Sequence, residues 1–227
     1  MELGCGGTLA LLAKQGRKVG ILHLTRGERG TRGTPEERQR EAEEAARALG
    51  AVEVGFLDCG DGALRTGEAE EDALIERLRA WRPELILGPS PSDRHPDHHR
   101  SYELVQSASF YAGLRNRHPG AGPPYRPGAV FSYMQHDPFE PSFIVDVSSV
   151  WETKLESLRA YRSQLYQTGA EKKEAETKVA SREFWLAVEG RARHFGLMIN
   201  VELGEPFWSR LPLAVADLST LVPGGLR

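Results

Sequence analysis

The sequence predicts an α/β fold, a mostly parallel sheet flanked by helices, on three observations. Short runs dense in β-branched and other apolar residues alternate with longer segments whose apolar positions recur at helical spacing. The first three such runs each lead into a polar loop before the next helical segment begins. No internal repeat or low-complexity linker divides the 227 residues, a length that suits one domain with a sizeable core. One domain over residues 1–227 is therefore expected.

Residues 2–15 read as a glycine-rich lead-in to an apolar helix through Leu9, Leu11 and Leu12. Residues 19–24, Val-Gly-Ile-Leu-His-Leu, suit a buried strand and end in the polar loop 25–28. Thr34-Pro35-Glu36-Glu37 is a helix start: Thr34 can cap, Pro35 fits the first helical position, and Glu37 completes a capping box. Ala42, Ala45, Ala46 and Leu49 repeat at helical spacing, and Gly50 ends the helix. A strand over 52–57 leads to the turn 58–62, and a helix follows with Leu74, Ile75, Leu78 and Trp81 on one face. Leu85-Ile86-Leu87 is the third strand. Beyond it come a helix over roughly 98–114, a Pro/Gly-rich loop at 119–128, and strands over 129–134 and 143–147. Two long helices follow. The first carries Trp151, Leu155, Leu158 and Leu165; the second carries Phe184, Val188, Arg191 and Phe195. A proline-broken tail closes the chain.

The bulk numbers exclude several classes. Hydrophobic residues make up 40% and charged residues 27%, an ordinary soluble composition. A net charge of -3 gives no reason to expect nucleic acid or an anionic membrane as partner. No apolar run approaches the roughly 20 residues of a membrane span. Nor does a basic-then-apolar leader open the sequence. Cys5 and Cys59 form neither a Cys-x-x-Cys pair nor a disulfide framework. A reducing, cytoplasmic setting is expected.

In open parallel sheets, ligands bind just beyond the carboxyl ends of the strands. Loops 25–28, 58–62 and 93–99 occupy that position. The strongest signal is Asp93-Arg94-His95-Pro96-Asp97-His98. Two imidazoles with a carboxylate between them stand at a strand end before a helix. Imidazole is a common zinc ligand, and a neighbouring carboxylate can fix its tautomer. A helix N-terminus also disfavours imidazolium, which would keep His98 neutral. Spacing alone leaves a second reading equally open: a helix-start turn with Asp97 as cap and the histidines on the surface. His99 is the weaker candidate. The stretch Glu2-Leu3-Gly4-Cys5-Gly6-Gly7-Thr8 also has two readings, close approach to a ligand or helix–sheet packing. It lacks the dinucleotide-binding Gly-x-Gly-x-x-Gly spacing. Tyr133, His136 and Asp137 lie in a loop that either contacts substrate or simply faces solvent.

Together these pieces resemble the LmbE/PIG-L family of deacetylases. Glu2-Leu3-Gly4-Cys5-Gly6-Gly7-Thr8-Leu9 matches the stretch that follows the family's His-Pro-Asp-Asp motif. Leu24-Thr25-Arg26-Gly27-Glu28 and Gly33-Thr34-Pro35-Glu36-Glu37-Arg38 look like its second conserved region, and Asp93 to His98 is similar to its second metal motif. Pro141-Ser142-Phe143-Ile144-Val145-Asp146-Val147, Lys154-Leu155-Glu156, Tyr161-Arg162-Ser163-Gln164 and Gly204-Glu205-Pro206-Phe207 are similar to the bacillithiol-biosynthesis branch. The resemblance implies a Rossmann-like domain that uses zinc-activated water to remove acetyl from an N-acetylglucosamine conjugate. N-acetylglucosaminyl malate is the conjugate of that branch. It implies His98 as a zinc ligand, His95 as the group at the developing oxyanion or leaving amine, and Asp97 as an orienter. Arg38 and Glu2 would line the substrate pocket, with Arg38 or Arg94 able to meet malate carboxylates. The family's base and remaining zinc ligands lie in His-Pro-Asp-Asp, which this sequence lacks.

Met1 stands where the residue just after that motif would fall, so an N-terminally incomplete domain is expected, without the family's central first strand. Such a chain would expose two strand edges, bind zinc poorly and be inactive. The start of translation, assigned to an internal Met, is the preferred explanation; a truncated paralogue acting as a sugar-binding or scaffold protein is the alternative. A dinucleotide-binding domain is suggested by fold class alone, which does not fix function. The two C-terminal helices either build a homo-oligomer interface, common in the family, or pack on their own sheet.

Overall fold

The computed structural model describes residues 1–166 and 177–221. Within them the order is α1 (Glu2–Lys14), β1 (Gly20–His23), α2 (Pro35–Ala48), β2 (Glu53–Phe56), α3 (Glu68–Trp81), β3 (Leu85–Pro89) and α4 (Pro96–Tyr111). β4 (Ala129–Tyr133), β5 (Phe143–Asp146), α5 (Trp151–Arg159), α6 (Arg182–Met198) and β6 (Gly204–Ser209) complete it. The α/β class with flanking helices is as expected. None of the described helices is long and apolar enough to cross a membrane.

Local chemistry accounts for the elements. Thr34 accepts from the Glu37 N–H while Glu37 reaches back to the Thr34 N–H, the capping box the sequence predicts. Ala42, Ala45 and Ala46 are buried along α2. Leu74, Ile75 and Leu78 of α3 pack with Leu104 and Ala108 of α4 in one core cluster. A second cluster joins α1 to β1 and β6 through Leu9, Ala10, Ile21 and Phe207.

The sheet divides in two. β1 pairs with β2 in parallel, Ile21 opposite Val54. β3 pairs with β4 in parallel, and β6 joins β4 to β5 antiparallel, giving the order β3-β4-β6-β5. Strands are thus parallel where their carboxyl ends meet the polar loops and mixed beyond. β6 lies where the sequence predicts a broken tail. Pro206 cannot donate to a ladder, yet Phe207 is fully buried and the Glu205 side chain is fixed in the core. That tertiary burial outweighs the local signal.

Among the described residues, no strand pairs with the outer side of β1 or β3. Both strands line a cleft of about 1140 Å³, with Leu9 and Leu12 of α1, Trp81 of α3 and Val105 of α4. The volume exceeds the roughly 300–1,000 Å³ of a small-molecule pocket because the cleft runs the length of both strands. One end reaches Thr25, His95, His98 and His136, at the carboxyl ends of β1, β3 and β4.

α1 is bent. Cys5 has φ -141° and ψ 15°, so the helix restarts at Gly6. A restarting helix exposes unpaired N–H groups. Glu205 of β6 accepts two of them, Gly7 N–H at 2.8 Å and Thr8 N–H at 2.7 Å, together with the Thr8 hydroxyl at 2.7 Å. Lys154 of α5 donates to the same carboxylate at 2.6 Å. The glycines serve this packing: a Cβ on Gly7 would lie 2.8 Å from Val147 and 3.0 Å from Glu205. The helix–sheet reading of the glycine run is therefore the right one there, and the anion at the helix start is the protein's own. Lys154→Met should destabilise the fold by about 3 kcal/mol, since it strips the cation from a buried carboxylate. Urea unfolding at neutral pH checks this; a loss under about 1 kcal/mol would show that the amide donors alone satisfy Glu205.

Candidate active site at the strand ends

β3 ends at Pro89, and the chain turns through 90–95 into α4. The Asp93 side chain is only 1% exposed. Its Oδ1 accepts from the His95 N–H at 3.0 Å and faces His98 Nδ1 at 3.0 Å; its Oδ2 accepts from the His136 N–H at 3.0 Å. One carboxylate thus joins the β3–α4 turn to the loop after β4. Burial would raise the Asp93 pKa, but these N–H donors and the neighbouring imidazoles hold it below the ordinary value.

Asp97 does a different job from the one expected. The residue that caps α4 is His95, whose Nδ1 accepts from the Asp97 N–H at 3.2 Å. The Asp97 carboxylate accepts from Leu64 N–H at 3.1 Å and from Arg100 at 3.0 Å, tying α4 to the loop after β2. Its Oδ2 is buried without a hydrogen-bond partner. The carboxylate on His98 is Asp93.

Three imidazoles stack beside the cleft. His95 and His98 lie 4.9 Å apart between ring centroids, and His98 and His136 5.5 Å apart with planes 7° from parallel. Burial is the main force pushing His98 below its ordinary pKa; Asp93 opposes it and the His95 charge reinforces it. The neutral His98 expected from the helix N-terminus thus owes its neutrality chiefly to burial. Burial likewise takes His136 down to about 4, against the pull of Asp93. Asp93, His98 and His136 each place a ligand-type atom within 4.8 Å of the others. The sequence alone leaves His136 as a loop residue of open role. Its place just past the carboxyl end of β4, the parallel neighbour of β3, was the available signal.

Arg38 and Glu2 also reach the cleft. The Arg38 guanidinium donates to the Gly27 carbonyl and, at 2.5 Å, to Gln164 Oε1. Gly27 has φ +68°, and a Cβ there would meet that guanidinium at 2.6 Å, so the loop closes over Arg38 only with glycine at this point. Glu2 is buried and accepts from the Tyr161 hydroxyl at 2.7 Å. Ser163 donates through N–H and hydroxyl to Glu41, at 2.6 and 2.8 Å. The stretch Tyr161-Arg162-Ser163-Gln164 therefore ties α1, α2 and the loop after β1 together. Arg94 is exposed, and its charge acts on His136.

Comparison with known proteins places this arrangement. Residues 1–109 match the family described as PIG-L, GlcNAc-PI de-N-acetylase. The solved structure of the conserved protein TT1542 from Thermus thermophilus is similar with a TM-score of 0.84 and 38% identity, covering 96% of this chain and 93% of that one. The match to the PIG-L model spans 109 of the 227 residues, a little under half of the chain. Diacetylchitobiose deacetylase of Thermococcus kodakarensis is 33% identical over 178 residues, 71% of this chain and 65% of its own length. A 4-oxalmesaconate hydratase of Pseudomonas putida is 29% identical over 180 residues, 70% of this chain and 67% of that one. These two relatives carry names of different reactions, and the site must decide between them.

The donor set suits zinc, which takes imidazole nitrogen and carboxylate oxygen. Asp93 is already engaged by two backbone N–H groups and by the His98 ring, so the nitrogens of His98 and His136 are the better-placed ligands and Asp93 the group behind them. Both depressed imidazoles also set an acid limit on the metal-free protein. The unfolded chain protonates its histidines below about pH 6.5, whereas folded His136 resists protonation down to about 4. Stability should fall as pH drops through that window, and His136→Asn should flatten the fall. Thermal unfolding from about pH 7.5 to about 4.5 in chelator checks this; parallel curves for the two proteins would refute it.

Proposed function

We propose that the protein is a zinc-dependent hydrolase that removes acetyl from an N-acetylglucosamine conjugate. The cluster of Asp93, His98 and His136 at the mouth of the cleft carries this reading. The similarity to a diacetylchitobiose deacetylase supports an acetyl-sugar substrate.

Zinc, when bound, supplies Lewis acidity at the acyl oxygen and brings the pKa of water to about 7. His98 and His136 would hold the ion, and Asp93 keeps the His98 ring in place from behind. His95, exposed at the mouth beside them, meets the acyl oxygen or the leaving nitrogen. Asp97 steadies the turn that carries both histidines. Arg38 and Glu2 line the side of the cleft where the sugar would lie. Within this class the finer proposal is N-acetylglucosaminyl malate, its carboxylates met by Arg94 or Arg38. Arg94 is the freer of the two, because Arg38 is already engaged by Gly27 and Gln164.

A second reading rests on ligand count. Catalytic zinc commonly has three protein ligands, and the two imidazoles among the described residues fall one short. A sugar-binding protein without turnover is the corresponding function. Acetate release from N-acetylglucosaminyl malate and from N,N'-diacetylchitobiose, with zinc and after chelation, separates the two. The enzyme reading expects zinc-dependent release, with His98→Ala lowering kcat/KM by at least about 100-fold, more than loss of an outer-shell group costs. Sugar binding without acetate release at any zinc concentration would establish the second reading.

A further inference from the structure

We propose that the β3–α4 turn sets opposite tautomers on its two histidines, making His98 a lone-pair donor and His95 a hydrogen-bond donor toward the same ligand. The proposal rests on the zinc reading above for what each ring then does, but not for which nitrogen carries the proton.

The argument uses the two partners of the rings. A neutral imidazole has one N–H and one lone pair, and the partner of one nitrogen decides the state of the other. His95 Nδ1 faces a backbone N–H, that of Asp97, at 3.2 Å. A backbone amide can only donate, so Nδ1 must be the acceptor and the ring proton must sit on Nε2. His98 Nδ1 faces the Asp93 carboxylate at 3.0 Å. Both oxygens of that carboxylate already accept from backbone N–H groups, so toward the ring it is an acceptor as well. Nδ1 of His98 therefore carries the proton, and the lone pair is left on Nε2.

Both partners are fixed by the fold. The Asp97 N–H is a free donor because it lies in the first turn of α4, and Pro96 before it has no N–H to compete. Asp93 is buried and pinned by His95 N–H on one oxygen and His136 N–H on the other, so it cannot swing away from His98. The rings stack 4.9 Å apart at 25°, and both line the cleft. Two adjacent imidazoles of the same residue type thereby present opposite chemistry. Nε2 of His98 suits a divalent cation, and Nε2–H of His95 suits a neutral acceptor such as an amide carbonyl oxygen. Asp93 is accordingly a positioning residue, acting through His98.

Multiple-bond proton–nitrogen correlation spectra of the 15N-labelled, metal-free protein at mildly alkaline pH read the ring protons directly. His95→Gln and His98→Gln variants assign the signals. The expected pattern is a protonated Nδ1 with a pyridine-type Nε2 at His98, and the reverse at His95. The same tautomer on both rings, or the two exchanged, would overturn the proposal. Asp93→Ala should release His98 into tautomer averaging while His95 keeps its pattern, and zinc affinity should fall by roughly 10–100-fold. A folded Asp93→Ala protein with His98 unchanged would remove Asp93 from the role. Should that variant fail to fold, the wild-type spectrum still decides. Because the spectrum is taken without metal, it is independent of the zinc titration that tests the function.

Discussion

The fold depends on a carboxylate buried where three layers meet. Glu205, 2% exposed on β6, accepts from Gly7, from both donors of Thr8 and from Lys154. An ionised group in that position is tolerable only because all four donors are present, two of them helix N-terminal amides whose partial charge opposes its own. The geometry then propagates. α1 must bend at Cys5 to offer those amides, and only glycine at position 7 lets β6 and Val147 come close enough. Lys154 also donates to the Leu3 carbonyl at 3.1 Å, and half-buried Arg191 of α6 donates to the Leu3 carbonyl at 2.8 Å and to the Gln135 carbonyl at 2.7 Å. Gln135 precedes His136. A core ion pair is thus linked by hydrogen bonds to the residue that precedes one of the site imidazoles.

A second set reaches the other side of the cleft. The loop 161–164 bonds Glu2, Glu41 and Arg38 through three successive functions: a phenol, a serine and an amide side chain. Asp93 does the equivalent work at the mouth, where it bonds two loops with one carboxylate. In each case a short stretch of polar groups joins separate parts of the chain. The cleft can therefore stay open along β1 and β3 without its mouth losing shape.

The parts of the fold legible in the sequence are those with local causes. The capping box at Thr34, the alanine face of α2 and the apolar runs of β1 to β3 follow from periodicity and cap chemistry, and they lie where periodicity places them. β6 was not legible, because Gly204 and Pro206 argue against a strand and only the burial of Glu205 and Phe207 overrides them. Leu165 illustrates the opposite error: it is buried at helical spacing from Leu158, but α5 ends at Arg159. At the site, the motif from Asp93 to His98 was visible, whereas its internal wiring was not. Asp97 sits between the two histidines in sequence, yet α4 begins there and turns its carboxylate toward Leu64. Asp93, five residues before His98, reaches the ring instead. His136 is 38 positions from His98 in the sequence, and only the parallel pairing of β3 with β4 brings them together.

The same burial that shapes the mouth also prepares it for a cation. A histidine ligand must be neutral to bind, so protons and metal compete for the same nitrogen. Exposed imidazoles would be appreciably protonated near about pH 6.5. Here burial depresses both His98 and His136, despite the carboxylate beside them, and so favours their lone-pair forms over those of exposed rings. Desolvation alone would leave the rings free to choose either tautomer. Asp93 removes that freedom at His98, and the cost of its own burial is offset by N–H groups that are there in any case. Neutrality comes from the apolar surroundings and direction from the carboxylate. Neither suffices alone: a neutral ring with the wrong tautomer turns an N–H toward the ion, and a correctly oriented ring that is protonated has no lone pair to offer.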